Sequence, residues 1–105
     1  MRGSREPVEG VFEGLLWFRR EDDTLVIQKY GGTAEEVSVP GEIGGCPVVC
    51  VGDSAFGWCR GLRRVVLPVG LREVGARAFF ACTALEEAVL PPGLTEIGEY
   101  GRAHV

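Results

Sequence analysis

The stretch Leu62–Ala84, LRRVVLPVGLREVGARAFFACTA, is followed from Leu85 by LEEAVLPPGLTEIGEYGRAHV, which reads as the same phrase begun again. A shift of 23 residues lays Leu62 on Leu85, Leu67 on Leu90, Pro68 on Pro91 and Gly70 on Gly93. It also lays Leu71 on Leu94, Val74 on Ile97 and Gly75 on Gly98. Backwards, the same shift pairs Val51, Gly52, Ala55, Phe56 and Cys59 with Val74, Gly75, Ala78, Phe79 and Cys82. A fixed period of this length marks a stacked solenoid, in which each unit covers its neighbour's apolar face. Such folds work as surfaces, so the repeat turns the functional question toward binding.

The chemistry of one unit follows its order of residue types. In Leu62–Leu67 the alternation predicts a short strand with Leu62, Val65 and Leu67 inward and Arg63, Arg64 and Val66 outward. Pro68 has no amide proton for a ladder and ends the strand, and Gly70 permits the turn. Leu71 and Val74 return to the core and Gly75 bends the chain again. The segment ARAFFACTAL then predicts a helical or 3₁₀ turn that carries Ala78, Phe79 and Cys82 inward. Stacking the units sets the strands side by side in a parallel sheet. Its outward rows become Glu35–Arg63–Glu86, Glu36–Arg64–Glu87 and Ser38–Val66–Val89. Each arginine then lies between two glutamates, a favourable cross-strand arrangement. The candidate partner-binding face is therefore Arg63, Arg64, Val66, Glu86, Glu87 and Val89.

Upstream, EEVSVP at Glu35–Pro40 matches RRVVLP and EEAVLP, but at a separation of 28, so this first unit carries five extra residues. They fall around GEIGGCPVV, read as an irregular insert that exposes Cys46 and Cys50. Before it, LLWF and TLVIQKY flank the charged turn Arg19–Asp23 and predict a β-hairpin ended by Gly31-Gly32. A hairpin there caps the apolar face of the first repeat, with Trp17 laid over its core.

The charge balance is −4, with 11 basic and 15 acidic side chains in 105 residues, which disfavours nucleic acid or anionic lipid as partner. No apolar run approaches the ~18–20 residues that span a bilayer, and the first ten residues lack the apolar region of a signal peptide. The lone histidine, His104, leaves no Cys–His or Ser–His–Asp constellation. GDSAFG is not the nucleophile elbow G-x-S-x-G, because its second glycine falls one position late. Cysteines at 46, 50, 59 and 82 match no zinc spacing. Cys59 and Cys82 share one inward slot of successive units and read as small buried hydrophobes, a disulfide between them being sterically open. Trp58 lies between the Phe56 and Cys59 slots and reads with Phe80 as an aromatic column on the turn side. That column serves either packing between units or an exposed patch for a partner, a glycan among them.

The pattern V-x-L-P-x-G-L-x-x-[VI]-G-x-x-A-F-x-x-C-x-x-L resembles the BspA-like, or Treponema-type, leucine-rich repeat. The segment from the hairpin through Glu35–Pro40, Ile43–Val48 and Val51–Phe56 is similar to the start of such arrays, so the resemblance spans roughly residues 11–100. It implies a curved solenoid without enzymatic chemistry and with no cofactor or metal. It also implies a place in secreted or surface proteins of host-associated bacteria and some protists, where such arrays contact host proteins, matrix or other cells. The family supplies no catalytic residues to carry over. The chain departs from it in holding about two and a half units, and in Gly101-Arg102 standing where Ala-Phe is expected. A fragment, a truncated frame and a protomer that self-associates through an uncapped C-terminal end all fit that departure.

The expected fold is an α/β repeat solenoid, β-dominated, with parallel strands, short helical or 3₁₀ turns and an N-terminal β-hairpin cap. Its parts are a flexible tail (1–10), the cap (11–32) and leucine-rich units at 33–61, 62–84 and 85–105, the last incomplete. The expected function is a non-catalytic, adhesion-type module that binds a protein partner through its sheet face. The structural alternative is a cap-plus-repeat piece of a larger surface protein.

Overall fold

The structure, a computed structural model, describes residues 8–94 and 96–97. The expected tail over 1–7, the break in pattern after Tyr100 and His104 lie outside the described residues.

The chain opens with three antiparallel strands, β1 (Glu9–Phe12), β2 (Leu15–Arg19) and β3 (Leu25–Tyr30). The cap is thus one strand larger than the expected hairpin, and Glu9 and Gly10 belong to β1 rather than to a tail. Glu13 and Gly14 join β1 to β2 with φ of 49° and 83°, the pair of left-handed residues that a tight hairpin turn requires. Alternation in β2 and β3 buries Leu15, Trp17, Leu25 and Ile27 in the same core as the repeats.

Each repeat then lays down two short strands rather than one. The first set, β4 (Glu36–Ser38), β7 (Arg64–Val66) and β9 (Glu87–Val89), forms a three-stranded parallel sheet. The second set, β6 (Cys46–Val51), β8 (Glu73–Val74) and β10 (Glu96–Ile97), forms another parallel ladder. That ladder continues the cap, because β3 pairs parallel with β6. The cap is therefore joined to the array by backbone hydrogen bonds as well as by apolar cover. Pro68 marks the corner between the two sheets, where the Leu71 amide donates to the Pro68 carbonyl at 3.1 Å.

The extra residues of the first unit are not an irregular loop. Glu42–Ile43 form β5, which pairs antiparallel with the start of β6 through Glu42 opposite Pro47 and Ile43 opposite Cys46. Gly44 and Gly45, at φ of 60° and 85°, close this small hairpin. Cys50 is accordingly strand and buried, against the exposure expected of it, while Cys46 is half-buried.

No helix occurs among the described residues, so the helical part of the expected fold is corrected. The segments after Gly52 and Gly75 are runs of β-turns. In the second unit Ala78, Phe80, Cys82 and Leu85 donate to the carbonyls of Gly75, Arg77, Phe79 and Cys82. Ser54, Trp58, Arg77 and Ala81 carry φ of 57°, 66°, 58° and 61°. A left-handed residue every fourth position breaks the succession of right-handed residues that a helix needs. The same positions recur 23 residues apart, 54 with 77 and 58 with 81.

These arcs stack by amides of Ser54, Phe56 and Trp58 donating to carbonyls of Ala76, Ala78 and Phe80 at 2.7–2.9 Å. Inside them Tyr30, Phe56 and Phe79 form a ring stack with centroids 5.6 and 5.4 Å apart. Phe56 and Phe79 are fully buried, each worth about 1.5–3 kcal/mol of transfer from water.

Candidate functional site: the sheet face and the turn-side aromatics

The face read from sequence is assembled in the register expected. Glu36, Arg64 and Glu87 stand in one row, and Ser38, Val66 and Val89 in another. Arg64 Nε donates to Glu87 at 2.7 Å, and Arg63 donates to Glu86 at 3.0 Å with Glu35 at 3.9 Å on its other side. Hydrogen bonds from Arg63 to Glu86 and from Arg64 to Glu87, with the carboxylate charge behind them, raise both guanidinium pKa values. The six charged side chains line a shallow depression of about 450 Å³. Val66 is half-buried and Val89 exposed, a narrow apolar strip beside the charges. This face binds by charge pattern and shape; nothing in it supplies a nucleophile or a general acid.

A second surface lies on the turn side. Trp58 is 58% exposed and Phe80 40%, their rings meeting edge to face at 5.3 Å. The pair is thus both a contact between units and an open aromatic surface. By the 23-residue shift the equivalent of Trp58 is Ala81, not Phe80, and both residues of that slot are left-handed. Phe80 meets Trp58 because the Trp58 amide donates to its carbonyl at 2.7 Å. The guanidinium of Arg60 lies 5.4 Å from the Trp58 ring centre and that of Arg77 lies 5.9 Å from Phe80. Trp17, by contrast, is buried beneath the cap, as expected.

All four cysteines are free thiols. Burial pushes the Cys50 thiol up to about 11, with a hydrogen bond to Glu73 adding to it. Burial likewise pushes Cys82 up to about 11, and its thiol donates to the Phe56 carbonyl at 2.9 Å. Cys59 is raised by the same cause. Groups held neutral in this way are core residues rather than nucleophiles. Among the described residues no cluster of His, Cys, Asp or Glu is placed to hold a metal, and no helix is long and apolar enough to cross a membrane.

Two parallel ladders, a 23-residue turn arc and the inward Ala-Phe-x-x-Cys series bring the chain to its relatives. The family model described as BspA type leucine rich repeat region (6 copies) matches residues 46–101. The chain belongs to this leucine-rich repeat family. A solved leucine-rich repeat protein of T. pallidum is 39% identical, with a TM-score of 0.79 over 85% of this chain and 42% of its own. A leucine-rich repeat protein from Bacteroides capillosus superposes with a TM-score of 0.84 over 90% of this chain and 73% of its own. At 20% identity it supports the fold alone. A leucine rich cell surface protein from Faecalibacterium prausnitzii, 25% identical, gives a TM-score of 0.73 over 89% of this chain and 27% of its own. This leucine-rich repeat chain thus spans under half the length of the T. pallidum protein. No curated protein matches it. The family is generally non-enzymatic, and this chain carries repeat architecture without catalytic groups in the described sites.

Proposed function

We propose that this chain is a non-catalytic, adhesion-type protein-interaction module that binds a protein partner through the β4–β7–β9 face, at a cell surface. One observation carries the reading: three parallel strands hold charged and apolar rows in fixed register on a face with room above it. Because each arginine already has a glutamate partner, a bound protein exchanges ion pairs rather than neutralising bare charge. Such exchange favours specificity and steering over raw affinity. The likeness to the F. prausnitzii cell surface protein supports the location.

The test is binding of the labelled chain to a panel of immobilised matrix proteins, with Arg64→Ala, Val66→Ser and Val89→Ser compared against the parent. Saturable binding weakened tenfold or more by these changes supports the face. Binding indifferent to all three removes it.

A second, structural reading rests on the third unit. Leu85, Ala88, Leu90 and Leu94 are half-buried where Leu62, Val65, Leu67 and Leu71 are buried. That face is suited to packing on further protein, self-association being one form. Sedimentation across a concentration series tests it, a monomer at every concentration excluding self-association.

A further inference from the structure

Between the cap and the first turn arc runs a half-open groove of about 370 Å³. Its floor is Tyr30, Leu62 and the backbone of Gly31, Gly32, Gly57 and Gly61, and its rim is Lys29, Trp58 and Arg60. Two cations and no carboxylate line it, although acidic residues outnumber basic ones 15 to 11 in the chain. Lys29 Nζ donates to the Gly57 carbonyl at 3.3 Å, which holds the ammonium at the groove and leaves two of its donors unspent. Arg60 is kept at the opposite rim by the Trp58 ring. Beyond Trp58 the surface continues into Phe80 and Arg77, so aromatic and cationic groups alternate along the array axis.

We propose that this groove binds an anionic glycan, one whose sugar rings carry carboxylate or sulfate groups, at a site separate from the sheet face. Pyranose rings offer a C–H face to an indole, and their acidic substituents suit an ammonium and a guanidinium placed on either side. The groove falls in the size range of small-ligand sites, ~300–1,000 Å³, and its glycine floor lets a ring approach the backbone. The aromatic–cation track beyond it suits a ligand that is itself periodic. An extended acidic peptide fits less well, because β3 is already paired on both edges, with β2 and β6, and offers no ladder for strand addition.

The experiment titrates the full chain with tetrasaccharides of galacturonic acid and of a sulfated hexuronate–hexosamine, following tryptophan fluorescence and heat. A neutral glucose tetrasaccharide and an oligo-glutamate peptide of equal charge serve as comparators. Variants are Arg60→Ala, Lys29→Gln and Trp58→Gly, the last keeping a residue suited to the left-handed backbone at φ 66°. Arg20→Ala, on the cap turn, controls for diffuse charge. The expected result is saturable binding of at least one acidic tetrasaccharide, with the tighter of the two identifying the anion. Arg60→Ala and Trp58→Gly each weaken it tenfold or more with unchanged melting temperature, while Arg20→Ala does not. Lys29→Gln, exposed and unable to disturb the core, lowers the salt dependence. The proposal is overturned if neither acidic sugar saturates, if oligo-glutamate binds as tightly, or if binding survives both Arg60→Ala and Lys29→Gln.

Discussion

Replacing Ala81 by glycine is expected to raise the stability of the fold, whereas the same replacement at Ala78, three residues earlier, lowers it. Ala81 sits at φ 61°, a conformation that costs an L-residue with a Cβ about 1–2 kcal/mol. Glycine removes that cost, and the greater freedom of the unfolded chain takes back about 0.4–1 kcal/mol. The balance is a gain of about 0.5 kcal/mol, or about 2–4 °C in melting temperature at about 4–8 °C per kcal/mol for a domain near this size. Ala78 is fully buried and is not among the left-handed residues. Its glycine variant loses a buried methyl, about 0.8 kcal/mol, and pays about 0.5–1 kcal/mol in backbone entropy. A fall of about 6–12 °C follows from a loss of about 1.5 kcal/mol. Thermal and urea unfolding followed by circular dichroism read both. A helix through this segment would make the two variants lose stability alike, by about 1 kcal/mol each. A loss at Ala81 as large as that at Ala78 would therefore refute the turn arc and restore the helical expectation.

Gly75→Ala is expected to destabilise by about 1–3 kcal/mol in urea unfolding, because a Cβ there meets the Asp53 carboxylate and lies 2.5 Å from the Asp53 amide nitrogen. Phe56→Ala, in the middle of the ring stack, is expected to cost about 3–5 kcal/mol and to leave the chain close to unfolding at 37 °C. Arg64→Glu sets three acids in one row across β4, β7 and β9, so its melting temperature falls below the parent's at 10 mM salt and approaches it at 0.5 M. With Cys50 and Cys82 raised in the folded state above their ordinary 9.0, the unfolded chain loses those protons first as pH rises. Stability is then level below about pH 9 and declines toward pH 11. Cys82→Ala flattens that decline in pH-dependent melting curves.

How far sequence reached can be seen at particular residues. The rows of β4, β7 and β9 were legible because alternation and a 23-residue shift fix both face and register. The second ladder was not, since β8 and β10 are only two residues long and show no alternation to read. Helical spacing of Ala78, Phe79 and Cys82 misled because a chain of turns that resets every fourth residue buries the same positions. The sign lay in φ, which Ala81, Arg77 and Trp58 do not announce by residue type. Gly44-Gly45 did carry a hairpin signal, masked by Pro47 and the two cysteines around it. The groove beside Trp58 was invisible in sequence, because Lys29 and Arg60 come from the cap and the turn arc and meet only in the folded chain.

The ring stack has a consequence for how arrays of this kind change length. Tyr30 in the cap occupies the place that Phe56 and Phe79 occupy in the units, so the cap presents each newcomer with the surface another unit would present. Duplication or deletion in whole steps of 23 residues keeps every ring, turn carbonyl and arginine opposite its mate. Any other step would shift them out of phase, unless it falls at the β5–β6 hairpin, where five extra residues are already folded away without disturbing the ladder. The array is thus copied in units but edited at one seam.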